Sequence, residues 1–285
     1  MSRWRRVCDS RRRWCRRAAA CLAVLVFVPT ATAAERPLWE LGVATVAIDQ
    51  QAYPGSSARA QRQLLLPYGV YRGPWLRADD GQVGLRALSN ARLELDLGAA
   101  AAIGSSATNA PLRAGMPALG TLVELGPRLK FWPFGRRTQP DLRIDLPVRA
   151  VFDLSNGMAS RGVTIEPRAS LVFGRAGDRW LRLGVSALFG NGRFNGLFYG
   201  VAPEFVSAQR PEYDAHGGLV AHRATVSFGW SLGPSWSVGG FVRIDDVAGA
   251  VNRDSPLVDA RRGWSAGLAL TLRLARSARS AATED

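Results

Sequence analysis

Between Asp141 and Leu154 the chain alternates without a break. Leu142, Ile144, Leu146, Val148, Ala150, Phe152 and Leu154 fall on every second position, and Asp141, Arg143, Asp145, Pro147, Arg149, Val151 and Asp153 fill the gaps. A period of two sends these sets to opposite faces of one strand. The pattern recurs along the chain. Leu93, Leu95, Leu97 and Ile103 oppose Arg92, Glu94 and Asp96; Val163, Ile165, Ala169, Leu171 and Phe173 oppose Thr164, Glu166, Arg168 and Ser170; Trp264, Leu268, Leu270, Leu272 and Leu274 oppose Ser265, Gly267, Thr271 and Arg273. Gly, Pro, Asn and Asp punctuate the segments. The pattern predicts twelve strands, at 39–48, 63–71, 75–87, 91–103, 120–132, 141–154, 161–173, 179–189, 196–206, 220–232, 235–245 and 262–274, with ten as the alternative count. No helix is predicted from Trp39 onward.

Two architectures share this pattern. A soluble sandwich or small barrel turns its apolar face inward; a transmembrane barrel turns it toward lipid and keeps polar groups in the lumen. Other features decide between them. The strands run about 10–13 residues, the length of a tilted membrane span rather than the usual 5–6 of globular sheets. Trp39, Trp75, Trp132, Trp180, Trp230, Trp236 and Trp264 fall at or near strand ends, where an interfacial girdle needs them. The non-lipid face carries small residues (Gly184, Ser186, Gly200, Ala202, Ser227, Gly229, Gly267, Ala269), which suit a narrow lumen. Mean hydropathy is −0.03, as expected where backbone groups are paired between strands and no long apolar run is needed. The expected fold is all-β, a transmembrane antiparallel up-and-down β-barrel over 35–274. Ile144 then faces acyl chains and Arg143 the interior, so Ile144→Arg should block insertion and Arg143→Leu should be tolerated.

Residues 1–34 differ in kind. Arg3, Arg5, Arg6, Arg11, Arg12, Arg13, Arg16 and Arg17 precede an apolar run from Ala18 to Val28, and small residues follow from Thr30 to Ala34. This order of basic, apolar and small segments reads as a cleaved export signal, and its apolar run is too short for a membrane anchor. The leader takes 8 of 37 basic and 1 of 23 acidic residues, so a net charge of +14 becomes +7. The remaining charges alternate in sign, which gives no support to a nucleic-acid partner. Cys8, Cys15 and Cys21 all lie in the leader, leaving a mature chain without thiols or disulfides. Residues 275–285 read as a polar C-terminal tail.

Charges of both signs occupy the expected interior: Glu124, Arg128, Lys130, Arg143, Asp145, Arg149, Glu166 and Arg168. They read as cross-strand ion pairs that stiffen a slender lumen, or as a charged constriction in a pore. With both termini periplasmic, counting back from the C-terminus puts 246–261 and 208–219 outside and the Gly233-Pro234 turn inside. The same count makes the long 104–119 segment periplasmic, against the usual preference for short periplasmic turns.

Several stretches together resemble one family. Met116-Pro117-Ala118-Leu119 leads into Gly120-Thr121-Leu122-Val123-Glu124-Leu125-Gly126-Pro127, and Phe198-Tyr199-Gly200-Val201 into Arg210-Pro211-Glu212-Tyr213-Asp214-Ala215. Val238-Gly239-Gly240-Phe241-Val242-Arg243, Gly249-Ala250-Val251 and Ser255-Pro256-Leu257-Val258 follow, with Tyr53-Pro54-Gly55-Ser56 and Pro67-Tyr68 near the start. As a group they resemble the MipA/OmpV family of outer-membrane proteins across 39–274. The resemblance implies an outer-membrane barrel that scaffolds a lytic murein transglycosylase and a peptidoglycan synthase, with 104–119 the foremost candidate docking element. It also leaves open a narrow channel for small solutes or antibiotics. Arg210, Pro211, Tyr213, Asp214, Ser255, Pro256 and Leu257 are candidates for an external binding surface or a cover over the barrel mouth. One departure from the family is the polar run after Leu274, where such barrels usually finish on an aromatic residue.

Catalytic chemistry finds little support. His216 and His222 have no Ser or carboxylate at a recognisable dyad spacing, and there is no Gly-x-Ser-x-Gly elbow. Asp79-Asp80-Gly81 and Asp245-Asp246 read as turn and strand-end residues, and ligands for a metal or cofactor are too few. The sequence therefore predicts a non-enzymatic envelope protein whose lipid partner is the outer membrane.

Overall fold

The computed structural model describes residues 37–74, 76–79, 82–102, 110–136, 139–174 and 179–281. The expected leader lies outside them, as does Trp75. Thirteen strands form one antiparallel sheet: β1 (Trp39–Gln51), β2 (Arg59–Arg72), β3 (Leu76–Asp79), β4 (Gln82–Ser89), β5 (Leu93–Ala102), β6 (Leu122–Phe131), β7 (Asp141–Asp153), β8 (Ala159–Ile165), β9 (Arg168–Gly174), β10 (Arg179–Gly190), β11 (Gly218–Ser231), β12 (Trp236–Asp246) and β13 (Arg262–Arg276). Apart from β8 and β9, which do not pair with each other, each strand pairs with the next in the chain, and β13 pairs with β1, so the sheet closes on itself. β8 and β9 share the place between β7 and β10 and act as halves of one stave, which makes twelve staves. The interruption is Glu166-Pro167, where proline has no N–H to give the ladder.

The two faces are inverted relative to a soluble protein. Leu65 (73 % exposed), Val185 (62 %) and Leu268 (53 %) stand outward, while Glu94, Asp145, Thr164, Ser170 and Asp245 are almost wholly buried. Ile144 is exposed and Asp145 buried, as the alternation requires. An apolar outside with an ionic inside is stable only where the outside is hydrocarbon. The tryptophans divide. Trp230, Trp236 and Trp264 are exposed on the wall. Trp132 is instead buried and donates from Nε1 to Asp141 at 3.2 Å, and Trp180 covers inward-facing Gly229. These two are lumen residues, which corrects their place in the expected girdle.

Two strand assignments differ, and they compensate. The expected strand at 75–87 is instead two, with β3 and β4 closing on each other through Asp79 opposite Gln82. The expected strand at 196–206 is instead a helix, α1 (Gly192–Tyr199), followed by a 3-10 turn at Pro203–Phe205. The total of twelve stands, but every connection between the two errors changes sides. The 104–119 segment, described from Ala110, therefore lies at the end opposite the termini, not beside them. This removes it as a periplasmic docking element. Segments 246–261 and 208–219 lie at this same end and Gly233-Pro234 at the end of the termini. At the other boundary, β13 runs to Arg276 and Ser280 still bridges Pro37, so the tail starts later than Leu274.

Among the described residues, the hydrophobic core lies at this far end. It joins Ala52, Tyr53, Ala110, Leu119, Phe194, Phe198, Tyr199, Val201, Val247, Ala250 and Leu257 from the loops to Leu122, Val151, Leu188, Val220 and Ala221 from the strand tips.

Candidate functional site

Inside the barrel, acids and bases meet in two networks. In the first, Glu94 lies within 2.6 Å of Lys130, 3.1 Å of Arg86 and 3.2 Å of Arg136, and Asp96 within 2.6 Å of Arg128 and 2.8 Å of Lys130. Arg143 and Asp145 pair at 3.0 Å on the next stave. In the second, Glu166 meets Arg168 at 3.1 Å and Arg223 at 3.3 Å and accepts from Ser186 at 2.8 Å; Asp245 meets Arg223 at 3.1 Å and Arg243 at 3.3 Å. Arg149 and Glu124 pair at 2.9 Å. All eight sequence-predicted lumen charges thus lie inside, each beside an opposite charge.

On the staves the sequence reading missed Arg86, Glu94, Asp96, Arg223, Arg243 and Asp245, and it also missed Arg136 in the β6–β7 turn. Arg86 sat in a misread strand, and Asp245 read as a strand end. Asp245 is 1 % exposed and forms the centre of its network. Alternation parity extended to every stave would have found all six. Phe241 fills the lumen further, lying over Gly267.

The mouth opposite the termini is closed by side chains from the resemblance motifs. Tyr53 donates through its hydroxyl to the Leu257 carbonyl at 2.7 Å, Tyr199 to the Pro54 carbonyl at 2.8 Å, and Ser255 to the Tyr199 carbonyl at 2.7 Å. Gly55, at φ +90°, presents its carbonyl to the N–H groups of Asp259 and Ala260. Burial of their rings raises the pKa of both tyrosines, so they stay protonated donors. α1 forms because Asn191 caps it, accepting from Phe194 N at 3.0 Å, and because Phe194 and Phe198 stack edge to face at 5.1 Å on one side.

Two arginines lock the segments together. Arg113, buried, donates to the carbonyls of Leu197 and Phe198 in the last turn of α1 and to that of Pro117. Arg210 reaches back to the carbonyls of Leu112 and Ala114, and to that of Phe205. Cations suit the negative end of a helix. Burial lowers the Arg113 pKa, with Arg210 adding to that effect.

The seven external-loop candidates meet here. Leu257 and Ser255 are buried, and Pro256 and Tyr213 are half-buried, while Pro211 and Asp214 remain exposed. They cover the mouth rather than form one open surface. His216 joins through its backbone: its carbonyl accepts from Asn195 and Asn252 at 2.7 and 2.8 Å.

No curated protein matches this chain. Among solved structures, it is similar to a Pseudomonas aeruginosa FadL homologue at 12 % identity and a TM-score of 0.31, covering 74 % of this chain and 60 % of that one. The chain thus spans less than two thirds of that protein. The family model described as MltA-interacting protein MipA matches residues 41–274, from the first strand to the last. The chain belongs to the MipA family.

Proposed function

We propose that the protein is an outer-membrane anchor that holds peptidoglycan-remodelling enzymes at the envelope, a lytic murein transglycosylase first among them. The family description supports the transglycosylase as partner; a peptidoglycan synthase is the second expected partner. The observation that carries an anchor over a conduit is the closed mouth. Tyr53, Tyr199, Phe198 and Leu257 form a packed core across it, and the lumen behind is spanned by paired charges. Such a barrel holds a place in the membrane and leaves its termini end free for partners, with no catalytic step of its own. The export signal at 1–34 brings it there.

The test is co-purification. The barrel, folded in detergent, should retain a purified MltA-type transglycosylase on an affinity column, and no retention at physiological salt contradicts the reading. The alternative, a narrow channel for small solutes or antibiotics, requires the mouth cap to open.

A further inference from the structure

Among the described residues, the two ends of the barrel carry different exposed charge. At the mouth both signs are present: Arg193, Arg253, Arg261 and Arg262 stand among Glu204, Glu212, Asp214, Asp254 and Asp259. At the termini end, among the described residues, the exposed charges are Arg92, Arg179, Arg276 and Arg279, with no exposed acid. Glu40, near the start of β1, is buried between Arg72 at 2.7 Å and Arg273 at 2.5 Å.

These arginines are not equivalent. Arg179 lies opposite Trp230 in the β10–β11 ladder and stacks over that exposed ring at 4.4 Å, a lipid-interface position. The other three sit beyond the wall. Arg92 closes the β4–β5 turn, which Asn90 fixes by accepting from the N–H groups of Arg92 and Leu93. Trp236 pairs with Leu272, so Arg276 is four residues past that tryptophan and Arg279 seven. This stretch is held to the start of β1, with Ser277 N donating to Trp39 O and Leu38 N to Arg279 O. Arg276 and Arg279 are thus cations on an ordered backbone outside the hydrocarbon.

Resting on the anchor reading, we propose that Arg92, Arg276 and Arg279 form the docking rim for the partner enzyme, and that the partner meets it with an acidic protein surface. Cations held on ordered backbone raise the encounter rate and fix orientation for a surface of the opposite sign. It also makes the complex sensitive to salt.

The experiment measures binding of a purified MltA-type transglycosylase to detergent-folded barrel, to R92E/R276E/R279E, and to R193E/R253E as a mouth control. Unchanged gel mobility of unheated samples establishes that each variant is folded. The rim variant should bind about tenfold or more weakly, the mouth variant like the parent, and parental binding should fall as salt rises. Equal binding by parent and rim variant overturns the rim while leaving the anchor reading intact. No binding by the parent overturns the anchor reading itself. A rim variant that loses only its affinity for phosphatidylglycerol vesicles or isolated murein also overturns the proposal, by giving these arginines to lipid or wall.

Discussion

Asp245 lies between Arg223 and Arg243 at 3.1 and 3.3 Å with 1 % of its surface exposed. One buried carboxylate neutralises two guanidiniums, so Asp245→Ala should cost on the order of 3–5 kcal/mol. A lower temperature for loss of the compact form on semi-native gels reads this out. Arg168, with its side chain 39 % exposed, meets Glu166, which keeps Arg223 and Ser186. Arg168→Ala should change stability by less than about 1 kcal/mol. Equal losses in the two variants would contradict a lumen held by its most buried pairs. On the outer face the structure moves the test site. Ile144 is near the start of β7, whereas Val185 is mid-way along β10 and 62 % exposed. A cation near the bilayer centre costs about 2–4 kcal/mol and less toward the rim. Val185→Arg should therefore impair insertion more than Ile144→Arg, scored by protease resistance in reconstituted vesicles. Arg143→Leu should still insert but lose stability, because it takes away the partner of buried Asp145.

Among the elements, α1 and its arginine lock have the most to lose. Asn191 serves two ladders, accepting from Phe194 N at 3.0 Å and Val163 N at 3.1 Å. Asn191→Ala should remove about 1–2 kcal/mol from the cap, seen as faster trypsin cleavage at Arg193 while the barrel stays compact. The tyrosines set a pH limit. Burial raises Tyr53 and Tyr199 above the ordinary 10.0, so the unfolded cap ionises first as pH rises. Their stabilisation is complete below pH 10 and falls above it. Cleavage at Arg193, taken relative to an unstructured arginine peptide at each pH, should be flat from pH 6 to 9 and rise beyond 10. This helix was the least legible element. Asn191-Gly192-Arg193-Phe194 with Leu197 and Phe198 carries a cap and helical spacing, but Phe198, Gly200 and Ala202 also satisfy a period of two. The 75–87 stretch is too short for two of the expected long strands. Yet its turn composition at Asp79-Asp80-Gly81 and the shift of apolar parity from Leu76 to Val83 and Leu85 both mark the break that the pairing of Asp79 with Gln82 shows. Long staves such as β7 and β13 were read to within two residues, because lipid enforces alternation at every position.

For the molecule as a whole, one inversion explains most of the rest. The wall is apolar because it faces lipid, so the chain can build a hydrophobic core only where loops leave the membrane, and there it closes the mouth. The lumen charges were visible in the sequence as single residues, and their faces followed from parity. The cap was not visible, because its parts come from segments more than 200 residues apart, as Tyr53 and Leu257 do. No periodicity reports such a contact. Several of the family motifs, from Tyr53-Pro54-Gly55 to Ser255-Pro256-Leu257, meet at this one place, while Pro67-Tyr68 and Val238–Arg243 lie on the staves. A sealed mouth over a paired lumen supports the proposed anchor role. Planar-bilayer recording of the folded protein tests this most directly. The account predicts no steady conductance at moderate voltage; stable, reproducible openings in the unmodified protein would contradict it.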